Sequence, residues 1–288
     1  MKVFNNPSIH SSAFLKENGY VHYQINSSEH SSIIKRCYEY YSCNEINSSN
    51  AAFRNKDGKP RHYVDVFRDK FSETLNLFSS QNLQNIIENH VAHKDRLVFS
   101  HSKLSIKQIG SDSSWHPHQD NGYEPKNKNH NNFAIFICLE DMNEKNGCLQ
   151  IYPKSHNHGT LKHERVVEDD ETGDNQLYVK DIPYDINPMS IIANKGDIIL
   201  FLADTLHSSL STKTPSERLS LITGVEEFNL LKLDNYGKLP LFIRGKLNFL
   251  EIIYLLFSKL LNLQLYWKYI KKNKMISSLI RKIMYATE

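Results

Sequence analysis

The sequence predicts a mainly β domain with flanking helices, followed by a basic, helical C-terminal extension. Between residues 101 and 228, short stretches either alternate apolar with polar residues or run continuously apolar, as strands do. The first hundred residues space their apolar side chains mostly at helical intervals, around one early strand. After residue 228 the composition shifts to Leu, Ile, Phe, Tyr and Lys. The expected organisation is therefore a domain over 1–228, with helical cover in 1–100 and a β core in 101–228, and an amphipathic extension over 229–288.

A chain of 288 residues is long enough for one sizeable core plus an appendage. The four cysteines, Cys37, Cys43, Cys138 and Cys148, have neither zinc-ligand spacing nor the density of a disulfide framework. Cys138 and Cys148 lie in apolar, strand-like stretches and are expected as buried thiols. Met1 to His10 lacks a basic start followed by an apolar run, so a cytoplasmic location is the default expectation. The net charge of +3 hides an asymmetry: residues 229–288 carry eleven Lys or Arg against three Asp or Glu, and the remainder carries 24 against 29. A basic tail on a mildly acidic body leaves room for an anionic partner. No nucleic-acid partner is expected.

From the N-terminus, a first helix should end at Asn18-Gly19, where glycine tolerates the left-handed cap. Tyr20 to Tyr23 then reads as extended. Ser27-Ser28-Glu29-His30 before Ile33 resembles a helix start, and 47–60 reads as a loop. Leu75, Leu77, Phe78, Leu83, Ile86 and Ile87 suggest a helix around 71–90. Arg54, Arg61, His62 and Arg68 read as surface residues within reach of an anionic substrate. Leu104 to Ile109 alternates as a strand, Phe133 to Leu139 runs apolar as a strand covered on both faces, and Gly196-Asp197 turns into the strand Ile198–Leu202. The acidic run Glu168 to Glu171 lacks the spacing of a calcium loop and reads as solvated.

The chemistry centres on Trp-His-Pro-His-Gln-Asp at 115–120. Residues two apart on a strand share a face, so His118 and Asp120 would present an imidazole beside a carboxylate. Two histidines and one carboxylate with open positions opposite is the ligand set of non-haem Fe(II) oxygenases, and His207, after Ile198–Leu202, offers the second histidine. Alone, His-x-Asp is a weak pattern in a chain with 14 histidines and 32 acids. It gains weight from Arg218-Leu219-Ser220, which follows with strand alternation. A guanidinium fork binds a carboxylate bidentately, and a hydroxyl two residues on can share it, so Arg218 and Ser220 suit the far end of a dicarboxylic co-substrate. His116 would share His118's face on a regular strand, but Pro117 predicts a local distortion there. His118 is the expected ligand and His116 a structural neighbour. Tyr123, at the start of a long polar loop, and Trp115 are candidate substrate contacts.

These segments resemble the phytanoyl-CoA dioxygenase family of Fe(II)- and 2-oxoglutarate-dependent oxygenases. The resemblance rests on 115–120, on Asn-Gly-Cys-Leu-Gln-Ile-Tyr-Pro-Lys-Ser-His-Asn-His-Gly at 146–159, and on Gly196-Asp197, His207 and Arg218. Phe14-Leu15-Lys16-Glu17-Asn18-Gly19-Tyr20 resembles the family's opening segment, so the likeness spans about 14–224. It implies a double-stranded β-helix (jelly-roll, cupin-like) core, with His118, Asp120 and His207 on Fe(II) and Arg218 on 2-oxoglutarate. It further implies Phe136 and Ser209 near the co-substrate, with O2 as second substrate and a small molecule or carrier-linked compound as the target of hydroxylation. His156 and His158 follow Pro153 in a turn, which the resemblance puts near the iron but not on it. Related halogenases lack the carboxylate, so Asp120 implies hydroxylation rather than halogenation.

Two other readings bear on the same residues. A zinc- or manganese-dependent hydrolase or isomerase could use the same barrel but would have no use for Arg218. A non-catalytic module could act through the tail, packing on the barrel, dimerising, or lying on a membrane surface through Lys268, Lys271, Lys272, Lys274, Arg281 and Lys282. Charged and polar interruptions between Leu247 and Tyr269 argue against a spanning helix.

Overall fold

The computed structural model describes residues 1–25, 31–43, 51–54, 58, 60–64, 81–90, 96–108, 114–123, 132–165, 176–228, 241–244 and 246. In chain order its elements begin with β1 (Val3–Phe4), α1 (Ile9–Asn18), β2 (Tyr20–Tyr23), α2 (Ser31–Cys43), β3 (Ala51–Arg54), β4 (Pro60–Val64) and α3 (Gln81–His90). Next come β5 (Leu97–Lys107), β6 (Trp115–His118), β7 (Phe133–Cys138), β8 (Leu149–Ile151), β9 (His163–Arg165) and β10 (Leu177–Val179). The last are β11 (Met189–Ser190), β12 (Ile198–Leu202), β13 (His207–Ser209), β14 (Arg218–Glu227) and β15 (Leu241–Arg244).

The strands build a jelly roll. A nine-stranded sheet runs β1-β2-β12-β7-β14-β5-β4-β3, with β15 also paired to β5. A four-stranded sheet runs β11-β8-β13-β6, and β9 pairs with β10. Alternation along the large sheet decides which side chains face which layer. On β7 and β12, Ile135, Ile137, Ile198 and Leu200 join one core with Leu15 of α1, Ile34 of α2 and Leu83, Ile86 and Ile87 of α3. Their neighbours Ala134, Phe136, Cys138, Ile199 and Phe201 join a second core with Leu149 and Ile151 of the small sheet. Both faces of β7 are thus covered, which is why Phe133–Cys138 is an unbroken apolar run.

Local chemistry sets the element ends. Ser8 caps α1 through a reciprocal pair of hydrogen bonds with Ser11, worth about 1 kcal/mol. Gly19 closes the helix at φ 80°, as the sequence predicts. Asp197 fastens β2 to β12: it accepts from Asn194 N at 2.9 Å, and its Oδ2 lies 2.8 Å from His22 Nε2, with both side chains buried. Cys138 and Cys148 are buried free thiols.

Two boundaries differ from the sequence expectation. The first hundred residues contribute four short strands and the start of β5, because Pro60–Val64 pairs with β5 and carries the sheet outward. The first compact unit extends to Arg244 rather than 228, since Leu241 and Phe242 pair with Phe99 and Val98 of β5. The second unit is residues 245–288. The expected helical extension, its dimer or membrane contact, the N-terminal part of the 71–90 helix, Arg68 and the acidic run 168–171 lie outside the described residues. No helix among the described residues is long and apolar enough to cross a membrane.

Candidate metal centre

Strand pairing brings the two histidines together. His207, the first residue of β13, is the direct antiparallel partner of His118, the last residue of β6, and their rings lie 4.2 Å apart. Asp120 stands just past the strand, opening a 3-10 turn over Asp120–Tyr123 rather than continuing the extended backbone. That turn brings its Oδ1 to 4.0 Å from His207 Nε2. One ligand atom from each of the three residues falls within 4.8 Å of the others, so a single ion can touch all three.

The distortion expected at Pro117 is present. Two residues lie between Trp115 and His118 on β6, against one between their partners Ser209 and His207, so the register slips. The bulge turns His116 away to pack on Tyr178, with ring centres 6.0 Å apart. Its carbonyl stays behind and accepts from His118 Nδ1 at 2.7 Å. His207 Nδ1 likewise donates to Thr205 O at 3.0 Å. Both rings are thereby held with the proton on Nδ1 and the Nε2 lone pair free for a metal. Burial, and then the neighbouring His207, push His118 well below its ordinary pKa, so its ring is neutral and competent to coordinate.

Gln119 joins the segments that carry the ligands. Its side chain is fully buried. Nε2 donates to Gly159 O at 2.8 Å and to Asp204 O at 2.6 Å, and Oε1 accepts from Leu161 N at 2.7 Å. Its backbone N–H donates to His163 Nε2 at 3.0 Å. The turn holding His118 and Asp120 is thus tied to the turn that delivers His207.

His118, Asp120 and His207 line a cavity of about 380 Å³ between the two sheets. Arg218 also lines it, 2% exposed, with Nε lacking a partner among the described residues and Nη1 against Met142 Sδ at 2.9 Å. Burial lowers its pKa to about 10, which still leaves it charged at neutral pH. Ser220, two residues along the same face of β14, is fully buried with its hydroxyl unpartnered. Ser220 is not among the residues lining the cavity, so Arg218 is the donor of this pair that reaches it, and a buried guanidinium with an unmade hydrogen bond fits a carboxylate such as one end of a keto-diacid. Ser209 lines the cavity and accepts from Lys107 Nζ at 2.8 Å.

The remaining sequence candidates fall around the same space. Phe136, Trp115 and Tyr123 all line the cavity. The Tyr123 hydroxyl accepts from Leu177 N, and its ring meets His118 edge-on at 5.9 Å. Arg61 and His62, expected at the surface, are buried on β4, because that strand is covered within the large sheet. The Arg61 guanidinium lies 4.5 Å from the Trp115 ring centre, and His62 lines the cavity. Residues 51–54 are described only as backbone strand, so the side chain of Arg54 is outside the description. His156 and His158 sit in a separate 3-10 turn, facing Lys16 O and Asp185. Two cations were not anticipated from the sequence: Lys103, which lines the cavity, and Lys107, fully buried behind it on the same face of β5; their signal was the alternation of that strand.

Comparison with known proteins agrees with this layout. The chain is 28% identical over 174 residues to a rice (Oryza sativa subsp. japonica) protein named phytanoyl-CoA dioxygenase 1, covering 58% of this chain and 55% of that protein. It therefore spans about half the length of that curated relative. Two solved structures share the fold at low identity. One is EctD from S. alaskensis with 2-oxoglutarate and 5-hydroxyectoine, with TM-score 0.59 and 14% identity over 80% of this chain and 78% of that chain. The other is the epimerase SnoN in complex with Fe3+, alpha ketoglutarate and nogalamycin RO, with TM-score 0.59 and 17% identity over 76% of this chain and 82% of that one. The sequence pattern of the phytanoyl-CoA dioxygenase (PhyH) family matches residues 16–220, from within the capped first helix to two residues past the buried arginine. On that match the chain belongs to the phytanoyl-CoA dioxygenase family.

Proposed function

We propose that this protein is an Fe(II)- and 2-oxoglutarate-dependent dioxygenase that hydroxylates an aliphatic C–H bond of a small or carrier-linked substrate, releasing succinate and CO2. The observation that carries the reading is the convergence of His118, Asp120 and His207 on one cavity wall, with the buried cation of Arg218 in that same cavity. Bound iron and 2-oxoglutarate supply the O2-activating chemistry. His118 and His207 would hold the metal through Nε2, each oriented by a backbone carbonyl, and Asp120 would supply the single carboxylate. Arg218, with Ser220 and Ser209, would grip the distal carboxylate and so fix the co-substrate's register. Phe136 and Phe201 line the cavity with apolar surface and keep water from the reacting centre. With Asp120 as a carboxylate ligand, a bound iron would have no need of a halide in its place, which favours hydroxylation over halogenation.

The test is anaerobic binding of Fe(II), then of 2-oxoglutarate, followed by a succinate-release screen in O2. Arg218→Ala should keep iron and lose co-substrate affinity. Iron retention with unchanged 2-oxoglutarate affinity would support a hydrolase or isomerase instead.

A further inference from the structure

The wall of the cavity beside Asp120 carries a polar strip that the metal and co-substrate do not use. Asn121 follows the metal carboxylate directly. Its backbone N–H donates to Ala203 O at 3.1 Å, and Ala203 N donates to Asn132 O at 2.8 Å. Asn121 and Asn132 therefore flank one residue, and all three line the cavity. Asn121 is 5% exposed, and its amide nitrogen has no partner among the described residues; the amide oxygen of Asn132 is also buried without one there. Asn132 Nδ2 donates to Glu226 Oε2 at 3.3 Å, which anchors the strip to the end of β14.

β14 also separates this strip from the cationic end. Arg218 and Glu226 both line the cavity eight residues apart on one strand, about 26 Å of strand length. A dianionic co-substrate belongs with the arginine. The strip of two amides and a carboxylate suits something of different charge. A buried amide donor and a buried amide acceptor on one cavity wall, carried by residues whose backbones flank Ala203, together cost more than a single lost hydrogen bond unless a ligand fills both. One group that fills both is a hydroxyl or a carboxamide, which donates and accepts at once. A thioester carbonyl only accepts and would leave Asn132 unsatisfied.

We infer that Asn121 and Asn132, backed by Glu226, form the substrate-recognition wall, and that the substrate is a compact molecule bearing a hydroxyl or carboxamide beside the C–H that reacts. The inference rests on the oxygenase reading. It predicts selection against unfunctionalised acyl chains, because a site built to hydrogen-bond a polar group rejects analogues that lack it.

The experiment uses full-length protein with Fe(II) and 2-oxoglutarate. Under argon, the fluorescence of Trp115, which lines the cavity, is titrated with two probe sets: polyols and N-acyl amino-acid amides, and straight-chain acyl-CoAs. Succinate release in O2 is then measured with the same probes. Members of the first set should saturate the fluorescence change and stimulate succinate release. Asn121→Ala and Asn132→Leu should each weaken those probes by about 10- to 100-fold, with 2-oxoglutarate affinity unchanged as the check that the fold is intact. Response to acyl-CoAs alone, response to neither set, or wild-type affinity in both variants overturns the inference. Failure of the wild type to bind Fe(II) and 2-oxoglutarate at all would instead sink the oxygenase reading beneath it.

Discussion

Lys107 stands directly opposite Arg218 across the β5–β14 pair, and both side chains are buried, at 1% and 2% exposed. Cross-strand partners share a face, and like charges opposed there repel. An anion gripped from that face turns the repulsion into a shared attraction. Lys107 also donates to Ser209, two residues after the metal ligand His207. Lys107→Met should therefore weaken 2-oxoglutarate binding by about 10- to 100-fold, the worth of one hydrogen bond to a charged group, while iron affinity holds. Anaerobic calorimetry separates the two, and an undiminished 2-oxoglutarate affinity would remove Lys107 from the site. Arg218→Lys should not rescue Arg218→Ala, because an ammonium lacks the two-pronged geometry.

Gln119 links the turn that carries His118 and Asp120 to the turn that leads to His207. Gln119→Leu keeps the side chain's bulk but abolishes three hydrogen bonds to Gly159, Asp204 and Leu161. Residues that orient metal ligands typically contribute 10- to 100-fold in metal affinity. The expected outcome is a loss of about that size in Fe(II) affinity. A merely structural role would lower the thermal midpoint and leave the iron affinity of the folded protein at the wild-type value.

The cluster of His118, Asp120 and His207 was legible because its pattern is local. His-x-Asp is two residues of strand and turn, and the later histidine and arginine sit at readable intervals after an apolar strand. Gly19 was legible for the same reason, since a helix cap is a property of neighbouring residues. The burial of Arg61, His62 and Lys107 was not. Each is a polar residue on a short strand, and only the pairing of β4 with β5 and β5 with β14 encloses them. The staple made by Gln119 depends on loops some forty and eighty-five residues away, a relationship that no local pattern encodes. Pro117 lies between these cases: it announces a break in the ladder, and the bulge fixes which histidine is turned aside.

His90, at the end of α3, predicts an acid-sensitive contribution to stability. Burial lowers its pKa from 6.5 to about 4, and its Nε2 lies 2.6 Å from the Tyr23 hydroxyl. The folded state thus keeps the ring neutral where the unfolded chain would already protonate it. Between pH 6.5 and 4 the unfolded state binds the extra proton, so stability falls as pH falls through that window. Below 4 this residue adds no further loss. The slope is at most about 1.4 kcal/mol per pH unit. Chemical denaturation of the wild type and of His90→Gln at several pH values between 7 and 4 should show curves that converge on acidification. Parallel curves would mean that the ring titrates normally in the fold.

Gly19 couples the opening helix to the metal centre. It holds φ at 80°, and a Cβ placed there would come within 2.5 Å of both His156 Nδ1 and Thr205 Oγ1. Thr205 Oγ1 donates to Gly19 O at 2.7 Å, and Leu202 N donates to the same carbonyl at 2.9 Å. The glycine carbonyl therefore braces the turn that leads to His207, whose Nδ1 is oriented by Thr205 O. Gly19→Ala adds the left-handed backbone cost of about 1–2 kcal/mol to a clash with Thr205. The turn must then shift and carry the carbonyl that orients His207 with it. The variant should lose stability in denaturant titrations and bind Fe(II) more weakly. Thr205→Ala in the same background should recover part of the stability loss, since it removes the hydroxyl oxygen that the added Cβ would meet, although it also gives up the hydrogen bond to the Gly19 carbonyl. Lost stability with wild-type iron affinity would show that the helix end and the ligand turn are energetically separate.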